Sequence, residues 1–246
     1  MQIKAIDINV DVGEGINNEA ELMPLISSCN IACGGHAGDT ETMKQVVKLA
    51  KQYNVKVGAH PSFPDKEHFG RKPMDISCAA LYTSIKGQVD NLMSVLREEQ
   101  VRLNHIKPHG ALYNLAAVDA KCASVVIEVM KSILLPIKLY VPYNSVIEKL
   151  ALKNNILIKY EAFADRNYNA DGTLVSRTKL HAVIEDSDQM FEHVFRMISS
   201  KKVKTISGKE IKILADTFCI HGDNPKASDL IKNLSKRLQK NDIQIR

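Results

Sequence analysis

The sequence has no apolar run that approaches the ~20 residues needed to cross a lipid bilayer. Its first residues, MQIKAIDINVDVGEG, become acidic at Asp7 and contain neither a long apolar segment nor a small-residue cleavage site. These absences argue against a membrane protein and against a secretory signal peptide. We therefore expect a cytoplasmic protein.

Paired cysteines are absent as well. The five cysteines are scattered along the chain, and none belongs to a C-x-x-C pair: Cys29, Cys33, Cys78, Cys122 and Cys219. An odd and scattered set is typical of reduced thiols in a cytoplasmic protein and does not suggest a disulfide framework.

The sequence also lacks a strong excess of charge. The formal net charge is +5, and most of the excess lies in SSKKVKTISGKEIK and KASDLIKNLSKRLQK. Lysines alternate there with apolar residues at helical spacing, and aromatic residues that could stack on bases are absent nearby. The pattern favours solvated helix faces and loops, so we expect no nucleic-acid partner.

Linkers, low-complexity tracts and internal repeats of fixed period are not found. The chain has 246 residues, of which 45% are hydrophobic and 25% charged, as in ordinary globular proteins. That length fits one barrel-sized domain better than two ordinary domains. We therefore predict a single domain over residues 1–246.

Short β-type runs alternate with longer helical patterns along the whole chain. The seven β-type runs are IKAIDINVD, SCNIAC, VKVGAH, RLNHIKPHG, IKLYVP, ILIKYEAF and IKILADTFCIHG. This alternation predicts an α/β fold with a parallel sheet, either a closed barrel or a doubly wound sheet. Seven runs, polar residues at strand ends and the absence of a dinucleotide-binding glycine pattern favour a seven-stranded parallel βα barrel, a variant of the TIM barrel.

The first β-type run has two distinct faces. Asp7, Asn9 and Asp11 fall on one face at a period of two, and Ile6, Ile8 and Val10 fall on the other. In a barrel the apolar face would pack on the helices, and the polar face would point inward. Because polar groups are costly to bury, the inward row predicts either a functional site or a fully hydrogen-bonded network.

Four histidines come directly after β-type runs: His36, His60, His109 and His221. In parallel βα barrels these strand ends meet at the catalytic face. A single histidine there would be more typical of a structural cap, but four of them favour a functional site. The other four, His68, His105, His181 and His193, lack this placement, and we interpret His193 as structural.

Carboxylates and cations complete the predicted site. They lie in strand-end segments and comprise Asp11, Glu14, Asp39, Asp65, Asp165 and Asp223, with Arg71, Lys107, Arg166 and Arg177. Glu14, Asp39 and Asp223 could equally be helix N-caps or turn residues. Asp165 and Arg166 could be a simple ion pair, but a base beside an anion clamp is favoured, because Arg suits a carboxylate or phosphate.

Metal binding and nucleophilic catalysis are weaker alternatives. Asp11, His36 and His60 form a ligand set suited to Zn²⁺ or a similar divalent ion, but no short-spaced pair supports it. Cys33 near His36 could be a nucleophile, although a small buried residue at a strand end is more ordinary. The phosphate-binding pattern G-x-x-x-x-G-K-[ST] does not occur.

Seven segments together resemble the motifs of one family, LamB/YcsF, whose members are also called the A subunit of 5-oxoprolinase. They are NVDVGEG, CNIACGGHAGD, VGAHPSFPD, FGRKPM, KPHGALYN, EAFADRNYNADGTLVSR and CIHGDNP, in family order from about residue 5 to residue 225. Two departures are small. Gly35 stands where a larger residue is expected, and Lys72 stands where a second arginine is usual.

The resemblance implies a seven-stranded βα barrel similar to the glycoside hydrolase/deacetylase barrels. It implies ATP-dependent opening of the lactam of 5-oxoproline (pyroglutamate) to L-glutamate, carried out with 5-oxoprolinase subunits B and C. ATP would then act through the complex, and a homo-oligomer is compatible with this arrangement.

On that reaction we assign roles to the strand-end groups. Asp11 or His60 would activate water, His109 or His221 would protonate the ring nitrogen, and Asp165 joins them as a catalytic group. The predicted substrate-binding residues are Asn9, His36, Arg71, Lys107 and Arg166. Two alternatives remain open: a metal-dependent deacetylase-like hydrolase that uses Asp11, His36 and His60, and a non-catalytic lactam-binding subunit.

Overall fold

The structure, a computed structural model, describes residues 4–224 and 226–246. The strands in these residues are β1 Lys4–Val12, β2 Ser28–Ala32, β3 Lys56–His60, β4 Leu103–Ile106, β5 Lys138–Pro142, β6 Ile158–Phe163, β7 Lys202–Lys204, β8 Glu210–Lys212, β9 Thr217–Ile220 and β10 Ile243–Ile245. The helices are α1 Glu19–Leu22, α2 Thr40–Gln52, α3 Cys78–Glu98, α4 Gly110–Ala116, α5 Ala120–Lys131, α6 Val146–Lys153, α7 Ser187–Ser200 and α8 Ala227–Gln239. A single 3₁₀ turn, Met23–Leu25, follows α1.

Seven strands close into a parallel barrel. Strands β1 to β6 pair in chain order, and β9 pairs with both β6 and β1. Each of the seven predicted β-type runs contributes one of these strands, so the predicted seven-stranded βα barrel is confirmed. Closure brings the carboxyl ends of all seven strands to one rim.

The helices cover the barrel because each has one apolar stripe. In α2 this stripe is Met43, Val46, Val47 and Ala50, all buried in the core. Asp39 is the N-cap of this helix and accepts a hydrogen bond from the backbone N–H of Thr42 at 2.8 Å, which settles its open interpretation as a cap.

Both faces of β1 are buried, as the two-faced pattern predicts. Ile8 and Val10 belong to the apolar core between barrel and helices. Asp7 and Asn9 are also buried and point into the barrel interior, where Thr217 binds both side chains. A polar row in this position needs partners on the neighbouring strands, and the barrel supplies them.

Two β elements were not predicted. β10 extends the sheet by pairing in parallel with residues 4–6 of β1. β7 and β8 form an antiparallel hairpin, so the run IKILADTFCIHG is divided between β8 and the barrel strand β9. Strands of three residues carry too few side chains to show a period, which is why the sequence did not separate them.

All five cysteines are free in the structure. Among the described helices, none by itself is long and apolar enough to cross a membrane. Helices α4 and α5 meet that test only when they are taken together across a bend of 108°.

Candidate functional site

The site lies at the carboxyl-terminal rim of the barrel. His60 is the last residue of β3, while Lys107 and His109 follow β4. His221 follows β9 directly, and Asp165 comes two residues after the end of β6. Since the strands are parallel and closed into a ring, residues far apart in the chain meet at this rim.

Beneath the rim the barrel interior holds a continuous polar network. Asp7 accepts hydrogen bonds from Thr217 (2.6 Å) and Ser28 (2.7 Å), and it pairs with Lys159 at 3.0 Å. Burial opposes ionisation of Asp7, but Lys159 and the two hydroxyl donors outweigh it and lower the pKa of this carboxyl. The network thus stabilises the buried charge of the Asp7 carboxylate through one lysine and two hydroxyl donors.

Asn9 and Asn30 connect this interior to the rim. The Asn9 amide donates to Thr217 Oγ1 at 2.8 Å and accepts from Asn30 at 2.7 Å, and Asn30 also donates to Asp11 at 2.8 Å. Asn9 has no exposed surface. Its amide therefore serves the network in this structure, and its role in substrate binding stays a prediction.

Lys107 is the central cation of the site. Its ammonium lies 2.9 Å from Asp11, 3.1 Å from Glu161 and 3.0 Å from the sulfur of Cys219. Burial opposes the charge, but Asp11 and the other acidic neighbours raise the pKa of Lys107 well above its usual value. Burial likewise disfavours ionised Asp11, yet His60 and Lys107 hold its pKa well below its usual value. Lys107 and Asp11 are thus a charged pair at neutral pH.

Three histidines and one glutamate form a compact cluster beside Asp11, which we call the histidine cluster: Glu14, His36, His60 and His109. His36 Nε2 lies 2.9 Å from Glu14 Oε1, and His60 Nε2 lies 2.9 Å from His109 Nδ1. The rings of His36 and His109 stack with centroids 3.6 Å apart. All three histidines are buried, and burial lowers the pKa of His36 and, more strongly, that of His109.

Backbone carbonyls orient two of these rings. His60 donates from Nδ1 to the Lys107 carbonyl at 2.7 Å, and His109 donates from Nε2 to the Phe69 carbonyl at 3.0 Å. The left-handed backbone at Phe69 and Gly70 brings that carbonyl to His109. Each ring is therefore fixed with its second nitrogen facing the cluster.

His221 and Asp165 form a separate pair on the other side of the rim. Asp165 accepts from the His221 ring at 2.9 Å and from its backbone N–H at 2.9 Å. Burial opposes ionisation of Asp165, but His221 outweighs it and lowers the pKa of this carboxyl. The His221 side chain keeps 16% exposure, so it is the histidine of the rim that solvent reaches most readily.

Three arginines lie near this pair. Arg71 and Arg177 both bind Asp223, at 2.8 and 3.1 Å, so Asp223 is an ion-pair partner and not a helix cap. Arg166 is buried, and its Nη2 donates to the Val175 carbonyl at 2.5 Å. Within the described residues its Nε has no hydrogen-bond partner.

The structure adds residues that the sequence did not single out. Glu161 lies against Lys107, and the alternation of Lys159, Glu161 and Phe163 in β6 was the signal that could have found it. Glu14 remained open between a cap and a site residue, and it belongs to the histidine cluster. No local pattern distinguishes the two interpretations, because the loop after β1 brings Glu14 to the histidines.

His105 was set aside from the sequence, yet it lies inside the barrel. It stacks on Tyr140 with centroids 3.9 Å apart and donates to Asn30 at 2.7 Å. Burial lowers its pKa to about 3, so it is neutral. Gly58 makes room for it, because a Cβ there would collide with the His105 ring. We assign His105 to the interior network.

Two weaker interpretations are also resolved. Burial raises the pKa of Cys33 to about 12, which leaves the thiol protonated and speaks against a nucleophile. His193 in α7 is partly buried near Tyr168, and desolvation lowers its pKa to about 4, in agreement with a structural role.

The unusual Gly35 has a steric reason. Gln88 forms two hydrogen bonds of 2.9 Å with the backbone of Ser62, and this pair occupies the space beside residue 35. A Cβ at Gly35 would collide with both side chains. The position of Gln88 therefore explains the departure from the family pattern at residue 35, and this departure does not affect the histidines.

A cavity of about 320 Å³ opens beside the histidine cluster. Its walls come from the loops after β1 and β2 and from α2, and Glu14 is one of its lining residues. Glu14 thus connects the buried histidines with a space large enough for a small molecule.

Comparisons with known proteins agree with this architecture. The model of the LamB/YcsF family matches residues 6–246. The A subunit of 5-oxoprolinase from Bacillus cereus (strain 03BB102) is 39% identical over 246 residues, covering 98% of this chain and 97% of the relative.

Solved structures show the same likeness. The lactam utilization protein from Thermus thermophilus superposes with a TM-score of 0.92 at 34% identity, covering 98% of this chain and 99% of the other. A GH18 chitinase from Pseudoalteromonas aurantia, 12% identical, superposes with a TM-score of 0.54 and covers 94% of this chain and 99% of its own. This second likeness concerns the fold alone.

Proposed function

Because this chain belongs to the LamB/YcsF family, we propose that it is the A subunit of a cytoplasmic, ATP-dependent 5-oxoprolinase. The complex would hydrolyse the lactam of 5-oxoproline to L-glutamate together with subunits B and C. The observation that carries the proposal is the set of acid-base groups at the barrel rim, above all the His221–Asp165 pair. The name of the Bacillus cereus relative supports the choice of substrate.

An enzyme that hydrolyses a lactam must make three catalytic contributions. Water must be activated, the ring nitrogen must be protonated as it leaves, and the developing oxyanion must be stabilised. In our proposal His221, oriented by Asp165, protonates the nitrogen, with His109 as the other candidate. Asp11 or His60 accepts the proton of the attacking water, since these two side chains face each other at 3.3 Å.

The substrate carboxylate needs a cation that is not already neutralised. Asp11 and Glu161 already neutralise the ammonium of Lys107. Lys107 is therefore better suited to stabilise the developing oxyanion, or these acidic side chains, than to bind the substrate carboxylate. We propose that Arg166, whose Nε has no partner within the described residues, holds the carboxylate. Arg71 is already paired with Asp223 at 2.8 Å, so it would supply only a second contact to the carboxylate. His36 keeps its proposed place beside the substrate.

ATP enters the proposal through the complex. General acid-base assistance contributes roughly 10²–10⁴-fold, whereas enzymes typically reach ~10⁶-fold or more. The phosphate-binding pattern G-x-x-x-x-G-K-[ST] does not occur in the chain. We therefore propose that subunits B and C bind ATP and activate the lactam carbonyl, and that this chain completes ring opening.

The test is reconstitution with three arms. Glutamate release and ATP hydrolysis are measured with 5-oxoproline for this chain alone, for subunits B and C alone, and for all three together. We expect release of glutamate only from the full complex. Robust 5-oxoproline-dependent ATP hydrolysis by the isolated chain would overturn the proposed division of labour.

Site variants in the full complex extend the test. His221→Gln and Asp165→Asn should each lower glutamate release by about 10²-fold or more, because the proton donor is lost or misoriented. His181→Asn, at an exposed histidine outside the proposed catalytic and binding groups, is the matched control and should keep wild-type turnover. If both site variants keep full turnover with B and C, the chain is a non-catalytic lactam-binding subunit.

A second candidate function is a metal-dependent amide or carbohydrate hydrolase. The histidine cluster favours it, because imidazole and carboxylate groups converge there as they do in catalytic metal sites. Release of acetate from N-acetylated sugars by the metal-loaded chain, without subunits B and C, would identify this function.

A further inference from the structure

The tautomers of two buried histidines can be read from their outer contacts. A carbonyl oxygen can only accept a hydrogen bond, so His60 Nδ1 carries a proton toward Lys107 O and His109 Nε2 carries one toward Phe69 O. A neutral imidazole holds one proton. The remaining nitrogens, His60 Nε2 and His109 Nδ1, therefore both present lone pairs.

These two lone pairs face each other. His60 Nε2 and His109 Nδ1 are 2.9 Å apart. Two acceptors at that distance repel unless a positively charged species lies between or beside them. The carbonyls of Lys107 and Phe69 fix the orientation of the two rings. The backbone therefore keeps the two lone pairs facing each other.

A carboxylate and a third imidazole approach the same point. Glu14 Oε1 lies 3.4 Å from His109 Nδ1, 3.9 Å from His60 Nε2 and 2.9 Å from His36 Nε2. One proton shared by His60 and His109 would satisfy that pair, with Glu14 held by His36 at 2.9 Å. A cation bound by His60, His109 and Glu14 would satisfy the two lone pairs and the carboxylate together.

We propose that Glu14, His60 and His109 bind one divalent first-row transition-metal ion, with Zn²⁺ as the preferred ion. His36, whose ring stacks parallel on His109 at 3.6 Å, does not bind the ion itself and instead holds Glu14 through a hydrogen bond of 2.9 Å. Zn–N and Zn–O bonds of about 2.0–2.2 Å place tetrahedral ligands about 3.3 Å apart, which lies within the range of the separations observed here. Two imidazoles and one carboxylate, with a fourth position left open, are a ligand set of catalytic zinc sites, and they favour zinc-like ions over calcium or magnesium. The carbonyls behind His60 and His109 are the outer contacts that metal-bound histidines ordinarily make.

The site differs from the one predicted from the sequence. Only His60 is retained, whereas Glu14 and His109 replace Asp11 and His36. Asp11 Oδ1 is engaged by Lys107 at 2.9 Å, while Asp11 Oδ2 lies 3.3 Å from His60 Nε2 at the edge of the cluster. The same ammonium lies 3.0 Å from Cys219, so the neighbouring group Asp11, Cys219 and His221 already has a cation within it and is not the metal site.

The inference does not depend on the proposed function, but it leaves Asp11 as the base and His221 as the acid there, because metal-bound His60 and His109 would have no nitrogen free for proton transfer. A chain that binds zinc but fails to support lactam opening would overturn only that function. A complex that opens the lactam with a chain unable to bind metal would overturn only the metal site. The cavity of about 320 Å³ that Glu14 lines lies next to the proposed ion site.

The test measures metal binding by the full chain, without any activity assay. Chelator-treated protein is titrated with ZnCl₂ by calorimetry, and with CoCl₂ by visible absorption, where a low-coordinate Co²⁺ site gives an intense band. We expect one ion per chain, a Co²⁺ band that Zn²⁺ abolishes, and a higher unfolding temperature with Zn²⁺.

Variants locate the ion. His60→Gln and His109→Gln should weaken Zn²⁺ affinity by about 100-fold or more, and Glu14→Gln by at least about tenfold. His181→Asn should bind as the wild type does. If a histidine variant fails to fold, the Zn²⁺ affinity of Glu14→Gln and the Co²⁺ spectrum of the wild type decide whether the site exists. The proposal is overturned if the wild type binds no ion, or if all cluster variants bind as tightly as the wild type.

Discussion

Single residues in this barrel are explained by the pairing of buried charge. Lys107 is almost wholly buried and lies within 3.1 Å of two carboxylates, Asp11 and Glu161. A buried ion pair is costly to form, but it is costlier still to break, because the remaining charge is then left without a partner.

Lys107→Met should therefore destabilise the protein strongly. Removing the ammonium leaves Asp11 and Glu161 buried and close together, and we expect a loss of about 3–5 kcal/mol in the free energy of unfolding. Denaturant unfolding followed by circular dichroism measures it. The exposed pair of Lys131 and Glu128 provides the control, and Lys131→Met should change the unfolding free energy by no more than about 1 kcal/mol. Equal stability of both variants would contradict the pairing argument.

Asp7 gives a pH-dependent prediction. Burial opposes its ionisation, but Lys159 and the hydroxyls of Thr217 and Ser28 prevail, and its pKa is lower in the folded protein than in the unfolded chain. Its contribution is therefore fully present above the unfolded pKa of about 3.9 and is lost as the pH falls through the folded value below it.

Asp7→Asn should accordingly be less stable than the wild type at pH 7, by about 1–3 kcal/mol, and the difference should shrink below about pH 4. Denaturant unfolding at pH 7, 5 and 3 checks this. The exposed Asp75→Asn is the control and should follow the wild type at all three values. A stability difference that widens toward low pH would contradict the predicted direction of the pKa shift of Asp7.

At the scale of elements, the short strand β10 is an addition to a barrel that is already closed. It pairs with residues 4–6 of β1, and its Ile243 is buried at 3% exposure in the main core. Three residues offer little hydrogen bonding, so the strand is held mainly by the burial of this side chain.

Ile243→Ala should therefore lower the free energy of unfolding by about 2–5 kcal/mol, through lost apolar burial and the cavity that remains. The effect is measured by denaturant unfolding, with Leu134→Ala as the control because Leu134 is 95% exposed. A loss below about 0.5 kcal/mol for Ile243→Ala would mean that β10 does not contribute to the fold.

At the scale of the whole molecule, barrel closure creates the site. β9 pairs with both β1 and β6, which brings His221 from the end of the chain to Asp165, and Lys107 to Asp11. The chain separations of these contacts are 56 and 96 residues. An open sheet with the same strands would leave Asp11 and His221 at distant edges.

The sequence by itself determined the number and order of the barrel strands, because the alternation of β-type and helical patterns is local and each segment carries its own period. It also determined which face of β1 turns inward, and that strand-end histidines would gather at one rim. Position along the chain is sufficient for these conclusions, since parallel strands end on the same side.

Only the tertiary structure decided which groups meet at that rim. Glu14 reaches the histidines through a loop whose path no local pattern specifies. Glu161 faces Lys107 because β6 and β4, which are separated by β5, line the same barrel interior. The tautomers of His60 and His109 depend on carbonyls of other segments, at Lys107 and Phe69. Such contacts arise from barrel closure and loop packing, which couple residues too distant in the chain for any period or spacing to connect them.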